Sequence, residues 1–350
     1  MSDIEKMELS MSSGRKFSVY VQGDMTKAES RAVFLTVHDM GCNHSSWIEF
    51  ANHPVMRETR DRSIFIHVDI PGQEDNAEDL PNDYVFPTMQ NIAEDLVGVL
   101  DQLKVKLVIG LGEGAGANIL ARFGIAYPDR CMGLILIHCT ATTAGVMEHF
   151  KDKIISWKLS NVGMNPTAEQ YLIFHKFGHR LIEQLDTAEN KERLIKEYQD
   201  RLQSKINPKN LRKYVEAFLK RSDLSSKLES KLVVETLLVT GSKASHVNTV
   251  HNMHQSCNKL KASLLKIDDV GDVLQECPEK FAQSLQLFCK GLGVLTSLPL
   301  SGVDRQRTFS GSSTDGEEGR PRRQRTMSME EYDTPNLRRF SFSSTQTAAN

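Results

Sequence analysis

Between Lys106 and Gly124 the sequence joins an apolar run, glycine at every second position (Gly110, Gly112, Gly114, Gly116) and a stretch of small residues with helical character. That order matches the strand-to-helix elbow Gly-x-Ser-x-Gly, which lifts a serine hydroxyl above the end of a sheet strand for attack on an acyl carbon. At this spacing the chain has Gly110-Leu111-Gly112-Glu113-Gly114, so Gly112 stands where the hydroxyl is needed. Such an elbow strains its central residue by roughly 1–3 kcal/mol, a cost tolerated where catalysis requires it. Glycine avoids most of that strain. The pattern predicts the frame of an acyl-transfer site without its nucleophile.

The other two catalytic roles give the same reading. In this architecture the acid and the histidine follow the nucleophile in chain order. The acid belongs in the loop after the strand at Leu232 to Thr240, which reads Gly241-Ser242-Lys243-Ala244-Ser245-His246, with Ala244 at the expected place. The histidine belongs after the last strand, where Asp272 follows Gly271. With Gly112, Ala244 and Asp272 in the three roles, a Ser-His-Asp relay is not expected. The residue after the central glycine, Glu113, would offer the oxyanion amide while bringing a carboxylate close to it. That carboxylate also suits the first turn of a helix, whose dipole favours negative charge. His38 and Asp39 end another strand, where sites in open α/β sheets form. They are candidates for a vestigial pocket with Glu113, or for loop-bracing contacts. Cys42 and Cys139 have no base beside them in sequence and read as packed thiols, and Asp69 before Pro71-Gly72 reads as a turn cap.

Gly110-x-Gly112-x-x-Ala115 also fits a loose dinucleotide fingerprint, but no acid ends the next strand to hold a ribose. No Gly-Lys-Ser/Thr phosphate loop is present, so no cofactor is expected. Six cysteines (Cys42, Cys131, Cys139, Cys257, Cys277, Cys289) include no Cys-x-x-Cys pair, and no metal site is expected. A formal net charge of −2 over 350 residues gives no reason to expect nucleic acid as a partner. The polar start from Met1 to Lys6 and the lack of a long apolar stretch predict a cytoplasmic protein without a signal peptide or membrane span.

These residues need a scaffold, and the hydrophobic pattern supplies one. Met7 to Met11 and Lys16 to Val21 flank Ser13-Gly14 as a β-hairpin. Ala32 to Val37, Ser63 to Ile70, Lys106 to Ile109 and Gly133 to Ile137 read as strands covered on both faces, with a helix at Gln90 to Leu103. Strands return at Leu232 to Thr240 and Ser263 to Ile267, before a closing helix at Pro278 to Leu292. Alternation of strands and helices implies a mostly parallel sheet. The block from 144 to 231 is charged and helix-favouring, notably Thr187 to Ile206 and Lys209 to Lys220, and reads as a helical cap inserted into that domain. The expected fold is therefore an α/β-hydrolase fold of eight-stranded type, over residues 1–292, with a helical cap.

From 293 to 350 serine, threonine, arginine and glycine dominate, a composition that predicts a disordered tail. Arg305-Gln306-Arg307-Thr308-Phe309-Ser310 and Arg323-Gln324-Arg325-Thr326-Met327-Ser328 are near-copies, and Arg338-Arg339-Phe340-Ser341 is related. Arginines five and three residues before a serine suit a basophilic AGC-type kinase. Ser310 and Ser328 are the best acceptors, Ser341 is a simpler one, and Thr308 and Thr326 are neighbours. Each phosphate would add about −1.5 to −2 charges to a basic cluster. The same arginines could hold the unmodified tail on an anionic membrane surface, with phosphate releasing it.

The sequence resembles the N-myc downstream-regulated (NDRG) family, non-catalytic relatives of the α/β hydrolases. The resemblance rests on His38-Asp39-Met40-Gly41, Val68-Asp69-Ile70-Pro71-Gly72, Gly110-Leu111-Gly112-Glu113-Gly114-Ala115-Gly116-Ala117, Ile119-Leu120-Ala121-Arg122-Phe123 and the Arg/Ser-rich tail. It implies a cytoplasmic protein of signalling, stress response or differentiation that binds protein partners, is phosphorylated on its tail and lacks hydrolase activity. Two alternatives stay open: a small-molecule or lipid sensor in the vestigial pocket, and a hydrolase rewired around His38, Asp39 or Cys42.

Overall fold

The strands alternate large apolar residues between two faces, and both faces are covered. In the computed structural model, which describes residues 4–142, 164, 166–178 and 185–299, eight strands form one sheet in the order β1-β2-β4-β3-β5-β6-β7-β8. They are β1 (Ile4–Ser10), β2 (Lys16–Gln22), β3 (Ala32–Val37), β4 (Ser63–Asp69), β5 (Val108–Glu113), β6 (Cys131–Ile137), β7 (Glu235–Gly241) and β8 (Ala262–Ile267). β1 and β2 form the expected hairpin, β2 runs antiparallel to β4, and every later pairing is parallel.

Side-chain alternation sends Val33, Leu35 and Val37 of β3 into one core, with Ile64, Ile66 and Val68 of β4. There the helices Met89–Gln102 and Gly114–Ala126 cover the sheet through Ile92, Leu96, Val99, Leu120 and Phe123. Ala32, Phe34 and Phe65 face the opposite core, under the helices His44–Asn52 and Pro278–Gly291. Phe50 meets Phe281 there, with ring centroids 5.2 Å apart. Burial on both sides explains why these strands read as continuous apolar runs rather than as half-polar ones.

The packed chain continues past the expected boundary at 292. Val294, Leu295 and Leu298 are buried in the second core, so apolar residues beyond the closing helix still contribute to the domain. Residues 300–350 lie outside the described residues, and with them Thr308, Ser310, Thr326, Ser328 and Ser341.

Between β6 and β7 the chain forms the helices Pro166–Phe177, Leu185–Ser204, Pro208–Leu219 and Ser225–Lys231. The first three reach the carboxyl ends of the parallel strands and are latched there. Tyr198 donates to the Met40 carbonyl at 3.1 Å, and Tyr214 donates to the His38 carbonyl at 3.1 Å. Asn210 donates to the Gly72 carbonyl at 3.1 Å. Among the described residues no helix is long and apolar enough to cross a membrane.

Candidate functional site: a filled strand-end centre

β5 passes directly into the helix Gly114–Ala126, so the turn between them has no room for a linker. The backbone bends at Gly114, with φ of +52°. Gly112 is an ordinary strand residue paired with Leu136. The nucleophile position is therefore Gly114, two residues beyond the Gly112 expected from spacing. The neighbouring contacts fix this register. A Cβ on Gly112 would stand 2.9 Å from the Ala117 backbone, and one on Gly116 would stand 2.2 Å from the Val37 carbonyl oxygen. These are the close approaches that the outer glycines of the elbow permit, and they centre it on Gly112-Glu113-Gly114-Ala115-Gly116. With glycine at every second position, sequence alone allows both registers; only the backbone distinguishes them.

The amide after the turn, which would bind an oxyanion, is that of Ala115 and not of Glu113. It is already occupied. Ala115 donates to Asp39 Oδ1 at 2.8 Å. A Cβ at Gly114 would sit 2.2 Å from the Asp39 carboxyl carbon, so Asp39 fills the space a nucleophile's side chain would need. Its other oxygen, Oδ2, lies 2.9 Å from His175 Nε2. Burial opposes this carboxylate, but the charge and hydrogen bond of His175 and the Ala115 amide outweigh it, lowering the pKa to about 2.

Beside this pair lies a second one. Lys176 Nζ is 3.0 Å from Glu113 Oε1 and 2.8 Å from Asp272 Oδ2, and all three side chains are at most 2% exposed. Burial alone would discharge the lysine. The neighbouring carboxyl groups, Asp272 first, overcome that and hold its pKa well above the ordinary value. One ammonium faces two buried carboxylates, so they compete for compensation. Burial, reinforced by Asp272 and Asp39 and opposed by Lys176, raises Glu113 to about 8.

His175 and Lys176 both come from the end of the cap helix Pro166–Phe177, and neither stood out in the sequence. A signal was available: an apolar run at Tyr171 to Phe174, a charged pair and then Gly178. Gly178 has φ of +70°, and a Cβ on it would stand 2.0 Å from the Lys243 carbonyl oxygen. A Cβ on Gly271 would likewise meet the Phe177 carbonyl oxygen at 2.0 Å. The loops after β7 and β8, where an acid and a histidine would stand, are thus pressed backbone to backbone against the cap. Ala244 is buried in the first of them at 7% exposure. Asp272 caps the short helix Val273–Glu276 by accepting from the Leu274 and Gln275 amides, leaving Oδ2 for Lys176.

His38 is a brace, not a base. The Ile70 amide can only donate, so His38 Nε2 must be the acceptor of their 3.0 Å bond. Nδ1 then donates to the Asp39 carbonyl at 2.8 Å. Both nitrogens are committed in the neutral tautomer, in keeping with a pKa lowered by burial. Burial also pushes the Cys42 thiol up to about 12, which removes the thiolate a nucleophile needs. Asp69 caps the helix at His44 rather than a local turn, accepting from the His44 amide at 2.6 Å. The strand-end centre thus brings together Asp39, Glu113 and Asp272 from the core with His175 and Lys176 from the cap.

The sequence model of the Ndr family matches residues 10–296. This chain belongs to the Ndr family. It is 49% identical over 306 residues to "Uncharacterized protein ZK1073.1" of Caenorhabditis elegans, a match covering 87% of this chain and 90% of that one. It is 32% identical over 297 residues to Protein NDRG1 of Xenopus tropicalis, covering 83% of this chain and 72% of that protein. Among solved structures, a thermophilic esterase from Thermogutta terrifontis superposes with a TM-score of 0.64 at 17% identity, over 82% of this chain and 99% of that one. A hydrolase from Pseudomonas aeruginosa PA01 gives 0.62 at 17% identity, over 81% and 98%. At such identity the likeness shows the fold alone. The Ndr chain has an α/β-hydrolase fold, with Gly114 at the turn where those folds place a nucleophile.

Proposed function

We propose that this Ndr family protein is a non-catalytic α/β-hydrolase-fold protein, acting in intracellular signalling, stress response or differentiation by binding protein partners. One observation carries the reading: at Gly114 there is no side chain, and Asp39 takes the Ala115 amide that would stabilise an oxyanion. Hydrolysis in this fold needs both an activated nucleophile and preorganised donors. Here the first is missing and the second is spent. The cap supplies His175 and Lys176 to the same space, which favours a fixed scaffold over a sensor at this centre.

The Arg/Ser-rich tail is the regulated part of this proposal, with a basophilic AGC-type kinase acting on Ser310 and Ser328 in the cytoplasm. Purified full-length protein is expected to release no product above buffer from a panel of carboxylic esters, thioesters and lactones. Turnover that disappears in Asp39→Ala would overturn the non-catalytic reading. Phosphate mapping after kinase treatment is expected to find Ser310 or Ser328 modified, and a tail without phosphate would refute the regulatory part.

A further inference from the structure

A different part of the core–cap seam gathers basic side chains whose buried guanidinium groups, among the described residues, hydrogen-bond to neutral oxygens. Where the helix Gly114–Ala126 meets the end of Pro208–Leu219, a cavity of about 480 Å³ opens. Its lining includes Arg122, Lys213, Lys220 and Arg221, against the single carboxylate of Glu216. Glu216 already pairs with Lys220 at 3.6 Å. The volume lies within the range of about 300–1,000 Å³ common for small-molecule sites.

The two arginines are the unusual element. Arg122 is 2% exposed and Arg221 is 7% exposed. Buried guanidinium groups normally face a carboxylate. Arg122 instead uses neutral oxygens: Asn118 Oδ1 at 2.9 Å, Ser222 Oγ at 3.0 Å and the Ser222 carbonyl at 2.6 Å. Arg221 does the same with the Phe218 carbonyl, Thr140 Oγ1 and the Thr142 carbonyl, each at 2.8 Å. Its buried Nε has no hydrogen-bond partner among the described residues. Neutral acceptors satisfy geometry but not charge. The cationic excess is three when Glu216 is set against the four basic residues of the lining. Phe86 and Met89 give the same cavity an apolar wall.

We infer that this seam cavity binds a phosphate monoester carried on an apolar body. A dianionic head matches the charge excess better than a single carboxylate does, and arginine forks suit its oxygens. The apolar part lies against Phe86 and Met89. The inference is independent of the proposed function, because the cavity is lined by none of the residues at the Gly114 centre.

Titration calorimetry of the full-length protein with octyl phosphate, octanoate, inorganic phosphate and octyl glucoside tests it. Octyl phosphate is expected to saturate at one molecule per chain, to bind more tightly than octanoate or inorganic phosphate, and to leave octyl glucoside without measurable binding. Losing one charge-assisted contact should weaken octyl phosphate by about tenfold or more, both in Arg221→Gln and in the half-exposed Lys213→Gln. Lys213→Gln with an unchanged thermal unfolding midpoint separates lost binding from lost folding. Equal affinity in wild type and Lys213→Gln would overturn the site. Octyl glucoside binding as tightly as octyl phosphate would overturn the anionic head, and inorganic phosphate binding as tightly would overturn the apolar body.

Discussion

Two regions of one seam handle buried charge in opposite ways. At the Gly114 centre the buried basic side chains among the described residues meet carboxylates of the same chain: His175 meets Asp39, and Lys176 meets Glu113 and Asp272. In the cavity beside Arg122 and Arg221, the hydrogen bonds of the buried guanidinium groups go to neutral oxygens, and the carboxylate that acts on both, Asp223, is solvent-exposed. The contrast teaches that burial alone does not mark a ligand site. Internal partners close the first region, whereas an excess of basic groups leaves the second open to a ligand. In the first region the paired charges act as a latch between cap and core.

The largest effect expected to break this contrast comes from Lys176→Met. It strands Glu113 and Asp272 without their cation, and removing one partner of a buried pair costs about 3–5 kcal/mol. The check is the denaturation midpoint of the full chain; a loss no larger than that of a surface substitution would show that the latch does not hold the cap.

Gly114→Ser should cost less, about 1–3 kcal/mol, because the new Cβ collides with the Asp39 carboxyl group. It is expected to yield no esterase, since Asp39 still engages the Ala115 amide. Adding Asp39→Gly should restore part of the lost stability, read from the same unfolding curves. Hydrolysis appearing in the single variant would contradict the placement of Asp39.

Taken per pH unit, the effect of Glu113 is smaller, at most about 1.4 kcal/mol. Its folded pKa is raised from 4.5 to about 8. The folded state therefore holds a proton that the unfolded chain releases. The stability this gives is fully present below about pH 4.5 and is lost as pH rises through about 8. Unfolding free energy measured across that interval should fall less steeply in Glu113→Gln than in wild type. An identical slope would remove Glu113 from the account. The smallest change belongs to the second region: Lys213→Gln should alter stability by no more than about 0.5 kcal/mol, read from chemical unfolding.

The scaffold was legible in the sequence because its signals are local. β3, β4 and β6 are largely apolar and wholly buried runs, and the helix Met89–Gln102 shows its buried face every three to four residues. The helix Pro166–Phe177 was not legible, because Tyr171, Leu172 and Ile173 are all buried and leave little polar face to set a period. The helix His44–Asn52 was missed as well. Its nine residues are short for a periodic signal, and its start depends on the Asn43 side chain accepting from the Ser45 amide.

The site was legible only in part. Glycine rather than serine at the centre of the elbow was plain in either register, but the alternating glycines hid which of them bends the chain. Asp39 and Glu113 were recognised as neighbours of the old pocket. Their partners His175 and Lys176 lie more than 60 positions along the chain, and no spacing rule connects charges brought together by a cap.

The most direct measurement follows the Ala115 amide by NMR while the protein is titrated with short-chain carboxylic esters and their acids. With Asp39 bonded to that amide, its signal should stay in place, and its hydrogen exchange should be as slow as that of the β5 core. A saturable shift of the Ala115 signal, or rapid exchange, would mean that the donor is free to meet an acyl oxygen and would contradict a centre closed by its own side chains.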